Sequence, residues 1–445
     1  MKSYVPNTME ERREMLKAIG LDSMDALFSD IPKGLRLDRE LKLPAPMSEM
    51  ELRELMMGYV LQNDEGGLLF RGAGAYRHYI PSVVPQLAAR SEFYTAYTPY
   101  QAEMSQGMLQ SIFEWQTVIC NLTGMEASNA SVYDGATAAS EAILMIRDSK
   151  RKNKVLYSAG LNPDVVATIK TYAHCYGIEL VEIPLNKDGI TDMDALKAEL
   201  PDSAGFIAAQ PNYLGCIENM DEIAETVHEQ KALLVSYVNP ISLGAIKRPG
   251  DYGADIAIGD AQPMGLPLNF GGPYVGFMAT GGKLVRNLPG RIAGETADAE
   301  GGRAFVLTLQ AREQHIRRDK ASSNICSNQM LCAIMSTIYA CTMGPEGMRE
   351  VAEQNIAKAH YLASELTKIK GMKLRYDTPF FNEFVIDTEL PAEQINEALK
   401  EIGIVGGLVL EDGGMLWCAT EMNSKEDIDF VCDMLKNIVE GGEEK

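Results

Sequence analysis

From Gly124 onward the chain alternates between short apolar runs suited to strands and longer amphipathic runs suited to helices. KVLYS is followed by PDVVATIKTYAHCYG, then IELVEIP, DMDALKAEL, GFIAAQP, MDEIAETVHEQK, ALLVSYV, DIAIGD and YVGFMAT. Pro163 suits the first position of a helix, and Gly177 suits the residue just past its end. Such alternation restricts the fold to α/β, because parallel strands need helical crossovers and those helices cover both faces of the sheet. Ligands in these sheets sit beyond the carboxyl ends of the strands. The loops placed there are YDGATA (133–138), QPNYLG (210–215), VNPISLG (238–244) and GDAQPMG (259–265).

The flanks differ. Thr8 with Glu11 and Ser48 with Glu51 are capping boxes that open two helices, the first with Met15, Leu16 and Ile19 on one face. A Pro-containing connector, KLPAPMS, separates them, and the apolar residues are too few for a core. After residue 327 two long helical runs lead into KLRY, EFVID, PAEQINEALKEIG, LWCAT and a helix capped by Ser424. The expected organisation is a helical extension (1–63), a large α/β domain (64–327), and linking helices with a small C-terminal α+β domain (328–445). That is the plan of the aspartate-aminotransferase type of pyridoxal-phosphate (PLP) enzyme, fold type I.

Composition narrows the partners. The net charge of −21 is spread along the chain, without the positive footprint that nucleic acid requires. No run of about 18 apolar residues occurs, so no membrane span is expected. MKSYVPNTMEERREML lacks the apolar stretch of a secretory signal. The eight cysteines are scattered without CxxC or Cys/His metal spacing, and read as reduced thiols of a cytoplasmic protein without a metal site.

A PLP enzyme of this plan needs a Lys for the Schiff base, a carboxylate for the pyridine nitrogen and an anion site for the phosphate. Asn239 stands after ALLVSYV, where the carboxylate belongs. The loop after DIAIGD offers Ala261, Gln262 and Pro263 where the Lys belongs, and Lys283 lies beyond the next strand. An amide can neither condense with an aldehyde nor keep the ring nitrogen protonated.

GAYRHYIPSVVPQL (74–87), FYTAYTPYQAEMSQGMLQSIFEWQT (93–117), NASVYDGATAASEA (129–142), YGADIAIGDAQPMGLPLNFGGPYVGF (252–277) and LTLQAREQHIRRDKASSNICSNQ (307–329) carry a resemblance. Over nearly its full length the chain resembles the N-terminal half of the glycine cleavage system P protein, the decarboxylating glycine dehydrogenase. More narrowly, it resembles subunit 1 (alpha chain) of the bacterial two-subunit form. The resemblance implies that Gln262 replaces the PLP-binding Lys of a paralogous partner subunit, and Asn239 its carboxylate. It also implies an α2β2 assembly in which the partner binds PLP covalently and this chain does not. By the same resemblance the assembly is expected to decarboxylate glycine and transfer the aminomethyl group to the lipoyl arm of the H protein, with the isolated chain inactive.

Within that frame, the candidates for catalysis are Tyr94, Tyr97, Glu103 and His78. Arg71, Arg77, Tyr100 and Gln106 are candidates for an interface or substrate channel. Tyr94, Tyr97 and Tyr100 surround Pro99 ahead of a helix, and Glu103 and Gln106, one turn apart, are expected to share a helix face. Tyrosines there can donate to a carboxylate, line a slot for an apolar arm, or simply pack an interface. Arg71, Arg77 and His78 lie among glycines, Gly72 and Gly74, that permit close backbone approach; His78 suits a pocket or a structural hydrogen bond. Gly135 and Thr137 open a helix where a phosphate would be cupped, and read as a remnant. Glu313 and Arg317 are spaced as an i,i+4 helix pair within REQHIRRDK, either a solvated helix or an H-protein docking patch. Cys326 is a free thiol at the junction with the small domain, inert or redox-active. Two alternatives stay open: a scaffold touching no ligand, and a stand-alone PLP enzyme using another Lys.

Overall fold

The computed structural model describes residues 7–37, 39–63, 67–321 and 323–440. Met1–Glu65 form one unit. Its helices Met9–Ala18 and Glu49–Val60 begin at the expected boxes. The Glu11 N–H donates to Thr8 Oγ1 at 3.2 Å while the Thr8 N–H donates to Glu11 Oε2 at 2.6 Å, and Ser48 and Glu51 repeat the exchange. Of the expected apolar face only Leu16 is buried; Met15 and Ile19 are exposed, and Glu49–Val60 buries no residue.

The second unit, Gly66–Lys445, is built on a seven-stranded sheet. Its strands, in spatial order, are Ala127–Ser128, Gly276–Thr280, Ile256–Asp260, Leu233–Val238, Ser203–Gln210, Lys154–Ser158 and Glu179–Ile183. Gly276–Thr280 alone runs against its neighbours. Successive residues of a strand face opposite sides, and the central strands are apolar on both. Phe206 and Leu234 pack with Trp115, Phe277 and Tyr339, whereas Ile207 and Val235 pack against Ile143 and Ile169. Helix Pro163–Tyr176 has Pro163 at its start and ends on Gly177 in the left-handed region, at φ 64°, where a side chain would be strained.

Helix Met330–Leu366 joins this sheet to the small domain and breaks at Gly344 (φ 63°, ψ 179°) before Pro345, whose ring nitrogen has no proton to donate. The small domain is a four-stranded antiparallel sheet, ordered Met372–Leu374, Glu383–Thr388, Met415–Cys418, Leu408–Val409, covered by Ala392–Glu401 and Lys425–Glu440. Leu68–Leu69 pairs in parallel with Ile404–Val405, and Phe70 packs 6.2 Å from the Trp417 ring. From there the chain crosses to the carboxyl edge of the large sheet, which is what shapes the site.

Candidate functional site

At the carboxyl ends of strands Ser203–Gln210, Leu233–Val238 and Ile256–Asp260 lies a cavity of about 50 Å³, walled by Tyr76, Asn162, Tyr213, Tyr237, Asn239 and Asp260. Pockets for small-molecule ligands are roughly 300–1,000 Å³. The space is small because the segment 73–79 runs through the cleft. Its Tyr76 N–H donates to Gln262 Oε1 at 2.8 Å, and Gln262 Nε2 donates to the Tyr76 carbonyl at 2.9 Å and the Leu266 carbonyl at 2.8 Å. Gln262 is 1% exposed, so its amide is wholly taken up by the protein itself. Asn162 Nδ2 holds the Ala73 carbonyl at 3.1 Å.

The same segment is tied to the small domain. The Tyr76 hydroxyl donates to Glu383 Oε2 at 2.6 Å, and the Ala73 N–H to Glu383 Oε1 at 2.6 Å. Burial pushes the Glu383 carboxyl up to about 7, against the hydrogen bonds from Tyr76 and Ala73. His78 Nδ1 lies 2.8 Å from Glu421 Oε2, and the Tyr79 N–H donates to Glu421 Oε1 at 2.7 Å. Burial opposes the Glu421 charge, but the His78 ring and the Tyr79 N–H outweigh it and hold that carboxyl below its ordinary range. Thr420 Oγ1 donates to the Arg77 carbonyl at 2.8 Å.

The helix Gly135–Lys150 points its N-terminus at the cleft, and unpaired N–H groups there would attract an anion. Here the anions are the chain's own. Asp134 Oδ1 accepts from the Thr137 N–H at 2.7 Å, and Asp260 Oδ2 accepts from the Gly135 N–H at 3.0 Å. Burial raises the Asp260 carboxyl to about 7. Tyr237 closes the remaining gap: a Cβ added at Gly135 would meet its hydroxyl at 2.2 Å. Asn239 turns its Oδ1 back to the Ile241 N–H at 3.0 Å. These residues do not fit PLP. Among the described residues the cavity wall carries no Lys; Gln262, expected at the Lys position, is locked by Tyr76; Asn239, expected at the ring-nitrogen position, carries an amide; and two carboxylates occupy the helix start.

The sequence-predicted residues are scattered around this cleft. His78 joins it through Glu421, 7% exposed. Arg71 donates from Nε and Nη2 to the Gly406 and Gly407 carbonyls, each at 3.1 Å, and so fastens the chain to the small domain; Arg77 is exposed. Tyr94 and Tyr97 are 70% and 84% exposed. Tyr100 is half-buried: its hydroxyl donates to Asn328 Oδ1 at 2.6 Å, and the Arg291 guanidinium lies 4.0 Å over its ring. Glu103 does not share a helix face with Gln106. The helix starts at Gln106, whose amide exchanges two hydrogen bonds of 2.8 Å with the Phe305 backbone, and Glu103 sits exposed in the preceding turn. The expected Glu313–Arg317 helix pair is also absent among the described residues. The helix is a single turn, Gln314–Arg317, with Glu313 ahead of it and paired instead with Arg291 at 3.7 Å. Cys326 is exposed, and its carbonyl accepts from Arg291.

Sequence reasoning passed over Tyr76, Tyr237, Asp260, Glu383 and Glu421. Two of them had a signal. Asp260 is the one acid within the strand Ile256–Asp260, and Glu383 opens the apolar strand Glu383–Thr388 with a fully enclosed carboxyl.

The large, mostly parallel sheet, the broken linking helix and the small antiparallel domain define a protein of the aspartate-aminotransferase type, PLP fold type I. The same architecture is found in a glutamate decarboxylase from Lactobacillus brevis (TM-score 0.69, 14% identity, covering 92% of this chain and 96% of that one). Residues 2–435 match the family described as glycine cleavage system P-protein, and the chain belongs to that family. A relative in Moorella thermoacetica, named probable glycine dehydrogenase (decarboxylating) subunit 1, is 49% identical over 444 residues, 98% of this chain and 100% of its own. One in Desulfitobacterium hafniense with the same name is 49% identical over 436 residues, 96% of this chain and 98% of its own. A crystal structure of glycine decarboxylase (P-protein) of the glycine cleavage system, in inhibitor-bound form, superposes with a TM-score of 0.89 at 42% identity, covering 98% of this chain and 100% of that one.

Proposed function

We propose that this chain is the subunit of glycine decarboxylase that does not hold PLP, and that it works in the cytoplasm with a PLP-bearing partner subunit. In that assembly, an α2β2 tetramer, glycine is decarboxylated and its aminomethyl group passes to the lipoyl arm of the H protein. One observation carries the reading. Gln262, in the position of the Schiff-base Lys, has its amide enclosed by Tyr76 and Leu266, so the chain has filled its own cofactor cleft. Membership of the P-protein family and the subunit names of its relatives support the heteromeric arrangement.

What this chain adds is placed outside the filled cleft. Tyr94 and Tyr97 direct most of their surface to solvent, and Glu103 is exposed as well. Exposed aromatic surface of this kind suits burial against a second subunit, where Tyr hydroxyls can reach a shared pocket. The test is an absorbance spectrum of the purified chain with PLP, alone and then with its partner subunit. A protein-bound aldimine band is expected only in the mixture, with borohydride fixing the cofactor to the partner. A borohydride-trapped adduct on the isolated chain would sink the reading.

A further inference from the structure

A second cavity, of about 370 Å³, lies between the helices Gly135–Lys150 and Pro163–Tyr176 and the chain at 324–325, and shares no wall residue with the filled cleft. Tyr133, Tyr172 and Tyr176 line it, together with Glu141, Thr171 and Cys175. Glu141 is 4% exposed. Burial pushes its carboxyl up to about 7, partly offset by a hydrogen bond from Ser323. Among the described residues no cation forms an ion pair with it. The three rings share the cavity wall with it: after burial itself, the charges of Glu141, Tyr176, Tyr133 and Asp134 raise the Tyr172 pKa. Tyr176 already receives one cation, the Arg147 guanidinium 5.3 Å from its ring centroid, but Arg147 is paired with Asp148 at 2.6 Å.

A buried carboxylate without a counter-charge carries a desolvation penalty that an incoming cation relieves. Aromatic faces attract the same cation and leave room for an apolar stem. A neutral or anionic ligand obtains neither benefit. We propose that this cavity binds an organic ammonium, with the charged head on Glu141 and the stem against Tyr133, Tyr172 and Tyr176. The ammonium belongs either to a free small amine or to a basic side chain of another protein chain.

Cys175 is exposed at the cavity wall and reports on it directly. The full chain is treated at pH 8 with cystamine or with bis(2-hydroxyethyl) disulfide, and thiol–disulfide exchange is followed by peptide mapping, with exposed Cys341 as internal reference. The preference for the cationic reagent should be about tenfold greater at Cys175 than at Cys341, a factor within reach of one desolvated cation–carboxylate contact. Glu141→Gln, which keeps the side-chain shape, should reduce that preference to the Cys341 value with a melting temperature no lower than that of the wild type. n-Butylammonium should slow the Cys175 reaction in the wild-type chain only, and n-butanol should not. Equal preference at the two cysteines, or a preference that survives Glu141→Gln, overturns the proposal. In the mixture with the partner subunit, a retained preference assigns a free amine. Protection of Cys175 that Glu141→Gln relieves assigns a basic side chain, and protection indifferent to Glu141→Gln rules that source out.

Discussion

The segment 73–79 and the stretch 94–104 are near neighbours in sequence and opposites in structure. In the first, backbone groups and the side chains of Tyr76 and His78 are turned inward, onto Gln262, Asn162, Glu383, Glu421 and Thr420. In the second, Tyr94, Tyr97 and Met104 leave 70%, 84% and 81% of their surface in water. The chain fills the cleft beyond its strand ends with its own residues, and leaves large side chains bare in the stretch that follows. Both features fit a polypeptide that completes a neighbour's site and has none of its own.

The contrast can be broken at its tightest point. Gln262→Leu removes three buried hydrogen bonds and leaves Tyr76 and Leu266 backbone groups without that partner. At roughly 1–3 kcal/mol for each stranded buried group, with some relaxation, the isolated chain should lose about 2–4 kcal/mol in urea unfolding. An unchanged midpoint would mean that the plug is ornamental. On the bare side, Tyr97→Ala should leave the melting temperature of the isolated chain where it is. The same substitution should lower glycine decarboxylation by the mixed subunits at least tenfold, about 1.4 kcal/mol of transition-state stabilisation. Intact turnover with intact assembly would reduce this chain to a scaffold.

A third effect depends on pH. The folded Glu383 carboxyl is raised to about 7, above its unfolded range of roughly 4.3. Between those values the folded state holds a proton that the unfolded state has released. Its contribution to stability is therefore present at low pH and declines as pH rises towards 7. Asp260 and Glu141, also raised to about 7 by burial, act in the same direction. Glu383→Gln does not titrate, so stability measured from pH 5 to pH 8 should fall less steeply than in the wild type. The expected gain at pH 8 relative to pH 5 is about 2.5 kcal/mol on top of a constant offset for the altered hydrogen bonds. An identical slope would show that Glu383 ionises freely.

Much of the frame was legible. Capping boxes, the alternation of strand and helix, Pro163 and Gly177 are local rules, satisfied by residues a few positions apart, and the structure follows them. Gln262 and Asn239 were singled out as departures from the plan, and the proposed role rests on that reading. Glu103 misled: the spacing suits a helix, but Gln106 pairs with the backbone of Phe305, 199 residues away, and the helix begins only there. Glu313 misled for the same kind of reason, since Arg291 from another loop outbids a one-turn helix neighbour.

What the residues determined by themselves is the α/β order and the family. Tertiary structure alone decided that the vacated cleft is filled by Tyr76, 186 positions before Gln262 and 307 before Glu383. Periodicity and capping report forces between neighbours along the chain. Which distant peptide lies across a sheet's edge depends on how two domains dock, and no local pattern encodes that.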